Sequence, residues 1–113
     1  MSLWAKNLEV LQKVSPDLAA TLAATTIPED HQVRPSRSGP PCLQVGKQRL
    51  TSSYDPVKEG QDWAQALEGD AAEPLVVFGL GLGYHLLPLL DREGPLWVVE
   101  PSAPVARLAL EHQ

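Results

Sequence analysis

At 113 residues, with 43% apolar and 20% charged residues, 11 prolines and 8 glycines, the chain has the size and composition of one folded soluble domain rich in connecting structure. A net charge of −5 and a pI near 5.0 exclude the broad cationic footprint that holds nucleic acids. The single cysteine, Cys42, excludes an internal disulfide, and no apolar run approaches the ~20 residues of a membrane span, so a cytoplasmic location without a membrane or nucleic-acid partner is expected.

Leu3, Trp4, Leu8 and Leu11 recur at helical spacing, and Ser15-Pro16-Asp17 predicts a second helix with serine as N-cap and proline at its first position. Leu18 and Leu22 share a face of that helix. This helical arm, residues 1–27, closes at TTIPED, where β-branched residues and Pro28 oppose continuation. Residues 28–41, PEDHQVRPSRSGPP, are proline-rich and nearly free of apolar side chains, which predicts a linker or a long ordered loop. The basic residues that follow the arm (Arg34, Arg37, Lys47, Arg49 and Lys58) are interrupted by Asp55 and read as a solvated face.

Residues 42–113 carry the remaining predicted elements. Cys42 to Val45 and Gln48 to Thr51 are alternating runs divided by Gly46-Lys47, a pair suited to a tight hairpin. In YDPVKEGQDWAQALEGD, Asp55 is placed as N-cap and Pro56 as the first helical residue. Val57, Ala64 and Leu67 form the stripe with Trp63 beside it, and the helix should stop near Gly69. EPLVVFG and GPLWVVE have the form of parallel strands buried on both faces, near 75–78 and 96–99, with a helix predicted between them from Tyr84 despite Pro88. Pro104 opens a last helix with Val105, Leu108 and Ala109 on its apolar stripe. The fold class is α/β, a partial Rossmann-like β-α-β-α unit preceded by the arm, the proline-rich segment and the hairpin.

The turn VVFGLGLGYH sets Gly79, Gly81 and Gly83 at alternate positions between strand and predicted helix, and Glu100 closes the second strand about where a nucleotide-binding unit places its ribose-binding carboxylate. Such glycines let a backbone turn tightly, let a ligand approach, and present amides at a helix N-terminus. The G-x-G-x-G spacing and the absence of a following lysine match neither the dinucleotide fingerprint nor a phosphate loop. The spacing is similar to the turn of S-adenosylmethionine-dependent methyltransferases, which usually carry a further carboxylate where Val77 stands here. Three readings stay open: close packing, with Glu100 capping the helix near Ser102; a nucleotide-type ligand held by Gly79, Gly81, Gly83, Tyr84, His85 and Glu100; or methyl transfer.

No nucleophile–base pattern joins Ser52, Ser53 and His85, so no catalytic residues are assigned. No two of Cys42, His31, His85 and His112 stand at ligand spacing on one element, so no metal site is expected.

Three segments in order, LTSSYDPVKEG, VVFGLGLGYHLLPLL and LWVVEPSAPVARLAL, resemble the N-terminal domain of the motility-associated-factor (Maf) proteins, whose larger members contain domain of unknown function 115. The residues concerned are Ser53-Tyr54-Asp55-Pro56 with Glu59, then Gly79, Gly81, Gly83, Tyr84 and His85, then Glu100-Pro101. The resemblance runs from about residue 40 to the end. It implies a role in flagellin glycosylation, in which a nonulosonic acid moves from a CMP-sugar to serine or threonine. The transfer site of that family is assigned to a central domain, so this chain is expected to be an accessory domain without it. A nucleotide- or S-adenosylmethionine-binding domain and a protein-interaction module are the alternatives.

Two parallel strands leave two open edges and are too few to be stable alone. The expectation is therefore a piece of a longer protein, or a homo-oligomer that covers the edge through Val105, Leu108 and the flank of Leu96 to Val99, with flagellin as a further partner.

Overall fold

Helices in the computed structural model, which describes residues 1–113, begin where the sequence supplies a capping side chain or a proline. Ser2 accepts the Ala5 N–H at the start of α1 (Leu3–Val14), Asp55 accepts the Lys58 N–H at the start of α3 (Pro56–Gln65), and Ser102 accepts the Val105 N–H at the start of α4 (Ala103–His112). The helix α2 (Pro16–Ala23) starts at the expected proline, but the Ser15 side chain makes no capping bond; only its carbonyl does, to Ala19. Helix α3 ends at Gln65, short of Gly69. No helix is long and apolar enough to cross a membrane.

The segment expected as a linker contains a strand. β1 (His31–Pro35) pairs antiparallel with β2 (Pro41–Val45) from His31↔Val45 to Pro35↔Pro41, and β2 pairs with the short β3 (Gln48–Arg49). The prolines do not prevent this because Pro35 ends one strand and Pro41 begins the other, where the missing N–H is tolerated. Val33, the one apolar residue of β1, packs on the core while its neighbours Gln32 and Arg34 face water. At the β2–β3 turn Gly46 takes a φ of 58°, the left-handed conformation that a hairpin with glycine first requires.

Strands β4 (Leu75–Phe78) and β5 (Leu96–Val99) are parallel and in the predicted positions, with Val76 opposite Trp97 and Phe78 opposite Val99. The helix expected between them is absent. Residues 83–92 form a chain of turns closed by i→i+3 bonds, from Gly83 O to the Leu86 N–H through Leu89 O to the Arg92 N–H, around one 3-10 turn at Leu87–Leu89. Pro88 has no N–H to give the Tyr84 carbonyl and its ring crowds that carbonyl. Gly79, Gly81 and Gly83 all have positive φ, so no right-handed turn precedes it to build on.

The strands were also expected to be buried on both faces, and they are not. Period-two alternation puts Val76, Phe78, Trp97 and Val99 on one face, and these are 50%, 79%, 63% and 44% exposed. On the opposite face Val77 is buried, and Leu75 shares a shallow hollow with Ala64, Leu67 and Leu89, which places α3 and the crossover there. No element of the chain covers that face.

The core lies elsewhere, where Leu43 of β2, Leu82 and Tyr84 of the glycine turn, and Val105 and Leu108 of α4 meet, with Ile27, Val33 and Val45 around them. Val105 and Leu108, expected as free self-association surfaces, are 4% and 6% exposed. The helical arm folds back onto α4. Asn7 donates to the carbonyls of Leu110 and Gln113, both at 2.8 Å, satisfying the end of α4. Arg107 reciprocates by donating to Leu22 and Ala23 carbonyls at the end of α2 while its guanidinium lies 4.2 Å from the centre of the Trp4 ring. In α2 the buried residues are Ala19 and Leu22, whereas Leu18 is exposed.

Candidate functional site

A cleft of about 760 Å³ opens beyond the carboxyl ends of β4 and β5, the place where open parallel sheets receive ligands. Its lining comes from three remote segments: Leu50, Thr51, Glu59, Gly60 and Trp63; Phe78, Gly79, Gly81, Tyr84 and His85; and Val99, Glu100 and Pro101. Each segment is fixed by its own local chemistry. Ser52 is the hub of the first: its hydroxyl accepts the N–H groups of Tyr54 and Asp55, and its own N–H donates to Glu59 Oε1 at 2.8 Å, which ties the approach loop to the first turn of α3.

The glycine turn then sits directly on α3. A methyl group at Gly60 would lie 2.5 Å from the carbonyl carbon of Tyr84 and 2.7 Å from the backbone nitrogen of His85, so helix and turn touch backbone to backbone. Tyr84 locks the turn from the other side, its hydroxyl donating to the Pro41 carbonyl at 2.6 Å. Burial, with the neighbouring Cys42 adding to it, pushes that phenol above its ordinary value.

Glu100 is the keystone between the turn and α4. Its Oε1 accepts the Leu80 N–H at 2.8 Å and its Oε2 accepts the Ser102 N–H at 3.0 Å. The acid expected to meet a ribose thus braces two backbone segments while its side chain lines the cleft. His85 Nε2 lies 3.0 Å from the Gly79 carbonyl, an acceptor, so this nitrogen carries the hydrogen; the ring stands edge-on to Trp63, with centroids 5.0 Å apart and planes at 89°.

Of the six residues expected to bind a ligand, five line the cleft: Gly79, Gly81, Tyr84, His85 and Glu100. Gly83 does not; it is buried, with the Gln113 side chain near it. Tyr84 contributes to the wall, but its hydroxyl is spent on Pro41 rather than aimed at a ligand. The expected cradle of amides is also reduced. No helix follows the turn, and the N–H groups of Gly79, Leu80 and Gly83 donate to Val99 O, Glu100 and Leu80 O, so Gly81 alone of the three glycines keeps an amide without an acceptor in the chain. Trp63, Phe78 and Thr51 belong to the lining and carried no functional signal in the sequence, since each reads as an ordinary core or strand residue.

No protein-family model matches the sequence, and no curated protein matches it. Among solved structures, the fold is similar to part of a Maf glycosyltransferase from Magnetospirillum magneticum AMB-1, with a TM-score of 0.74 at 17% identity. The likeness covers 98% of this chain and 24% of the other, so the chain spans about a quarter of the length of the structure it matches.

Proposed function

We propose that this chain is an accessory, Rossmann-like domain of a Maf-type flagellin glycosyltransferase, acting alongside a separate domain that transfers the nonulosonic acid. The observation that carries this reading is the fold likeness over nearly the whole chain. It is supported by the geometry of the motifs: Glu59, the glycine turn and Glu100-Pro101, which carry the sequence resemblance from three separate segments, all line one cleft. The test is disruption of the gene in its source organism, with intact-mass spectrometry of flagellin as the readout. Loss of nonulosonic acid mass is expected, and flagellin of unchanged mass would overturn the proposal.

A second reading, a protein-interaction module, is favoured by the bare face of Val76, Phe78, Trp97 and Val99. The four side chains offer roughly 400–500 Å² of contiguous apolar surface, enough for the core of a standard interface. A second copy of the chain is the occupant this reading commits to, because a two-fold contact needs only one such patch.

A further inference from the structure

We infer that the cleft is a binding site for an organic cation with an apolar body, of the alkylammonium or sulfonium class, rather than for a phosphate-bearing ligand. Its volume of about 760 Å³ suits a small molecule, for which clefts run from ~300 to ~1,000 Å³. Its charge has one sign. The lining holds the carboxylates of Glu59 and Glu100 and neither lysine nor arginine. The lysine beside Glu59 on α3, Lys58, is bound to Asp62 at 2.6 Å. A phosphate favours cations, which the lining lacks; around the turn the amides of Gly79, Leu80 and Gly83 are bonded within the chain, while those of Gly81, Leu82, Tyr84 and His85 have no acceptor in it. What the cleft does offer is acceptors and π faces: the two carboxylates, the indole of Trp63, the largely exposed ring of Phe78, and His85 with Nε2 turned toward Gly79 O. Aromatic faces beside uncompensated carboxylates attract a poorly hydrated cation and repel an anion.

This inference is independent of the glycosyltransferase reading, and the isolated chain suffices to test it. The probes are S-adenosylmethionine, its neutral-sulfur analogue S-adenosylhomocysteine, tetraethylammonium and CMP, each titrated while the indole N–H resonance of Trp63 is followed by NMR. The expected result is saturable binding of both cations, with the sulfonium compound at least threefold tighter than its neutral analogue, and no saturable binding of CMP. Glu59→Gln keeps an oxygen for the Ser52 N–H, so it should melt like the parent while binding the cations about two- to fivefold more weakly, the scale of one exposed charge contact. Equal affinity for the two sulfur compounds, saturable CMP binding, or a folded chain that binds neither cation would overturn the inference.

Discussion

Replacing Gly60 by alanine sets two effects of opposite sign against each other at the contact that positions the cleft. Alanine in the interior of α3 gains about 1 kcal/mol of helix propensity over glycine. Against this, the added methyl would meet the Tyr84 carbonyl carbon at 2.5 Å, its oxygen at 2.6 Å and the His85 nitrogen at 2.7 Å. All three are backbone atoms, so no rotamer change relieves the contact. The turn they belong to is held by the Tyr84 bond to Pro41 and the Glu100 bond to Leu80, so α3 itself must move. Overpacking of this kind costs about 1–3 kcal/mol, and a backbone-on-backbone clash falls at or above the upper end, leaving a net loss of about 1–2 kcal/mol. For a domain of this length that is a fall in Tm of about 5–10 °C, read by circular dichroism. Gly79→Ala is the control: it meets nothing within 4 Å, so only its φ of 100° opposes the substitution. A Gly60→Ala chain as stable as the parent or more so would refute the reasoning, since propensity would then have outweighed the contact.

Other substitutions test the remaining joints. Glu100→Ala should lower unfolding free energy by about 2–3 kcal/mol in urea melts, because two backbone N–H groups lose a charged acceptor; an unchanged midpoint would remove its bracing role. Arg107→Ala should cost about 2 kcal/mol and speed hydrogen exchange across residues 3–23, since the arm loses both its cap and its stacking partner. The raised Tyr84 phenol means that the folded state favours the neutral form: its contribution is complete below the unfolded value of ~10 and is lost as pH rises through the folded value. Stability should therefore fall more steeply above pH ~10 in the parent than in Tyr84→Phe. The isolated chain should self-associate in sedimentation runs at rising concentration, and Trp97→Asp should shift it to monomer where Leu18→Asp, also exposed but away from the sheet, does not.

How much of the fold was legible depends on whether the signal was local. Pro56 behind Asp55, Pro104 after Ser102, and Gly46 between two alternating runs each settle the start of their element through their own backbone chemistry, and each element starts where it was expected, although α3 and β3 end short of the expected Gly69 and Thr51. The crossover is different, because the leucines of YHLLPLL have helical spacing while three positive-φ glycines and Pro88 remove the bonds a helix needs at its start. Strand β1 failed in the opposite direction. HQVRP is polar and ends in proline, and it becomes a strand because β2 supplies a partner and Val33 reaches the core. The docking of the arm on α4 was invisible for a related reason: it rests on Asn7 and Arg107, polar side chains meeting carbonyls more than 80 residues away.

The site shows the same division more sharply. Alternate glycines after a strand and an acid after the next strand correctly marked the carboxyl end of the sheet, and five of the six residues drawn from that pattern line the cleft. Their roles, however, depend on bonds across the chain. Glu100 is held by Leu80 and Ser102, His85 by Gly79, and Tyr84 by Pro41, so the polar atoms that a linear pattern assigns to a ligand mainly hold the turn together. Bracing consumes hydrogen-bonding capacity, but an accepted amide brings no cation to the carboxylates of Glu59 and Glu100. The lining therefore differs from a phosphate cradle in its charged side chains, with two carboxylates and neither lysine nor arginine beside the turn. A Glu59→Lys variant, which leaves the Glu100 brace intact, would bring the lining from two negative charges to none, and tetraethylammonium binding lost from a chain that melts like the parent would show that charge, rather than cleft shape, selects the ligand.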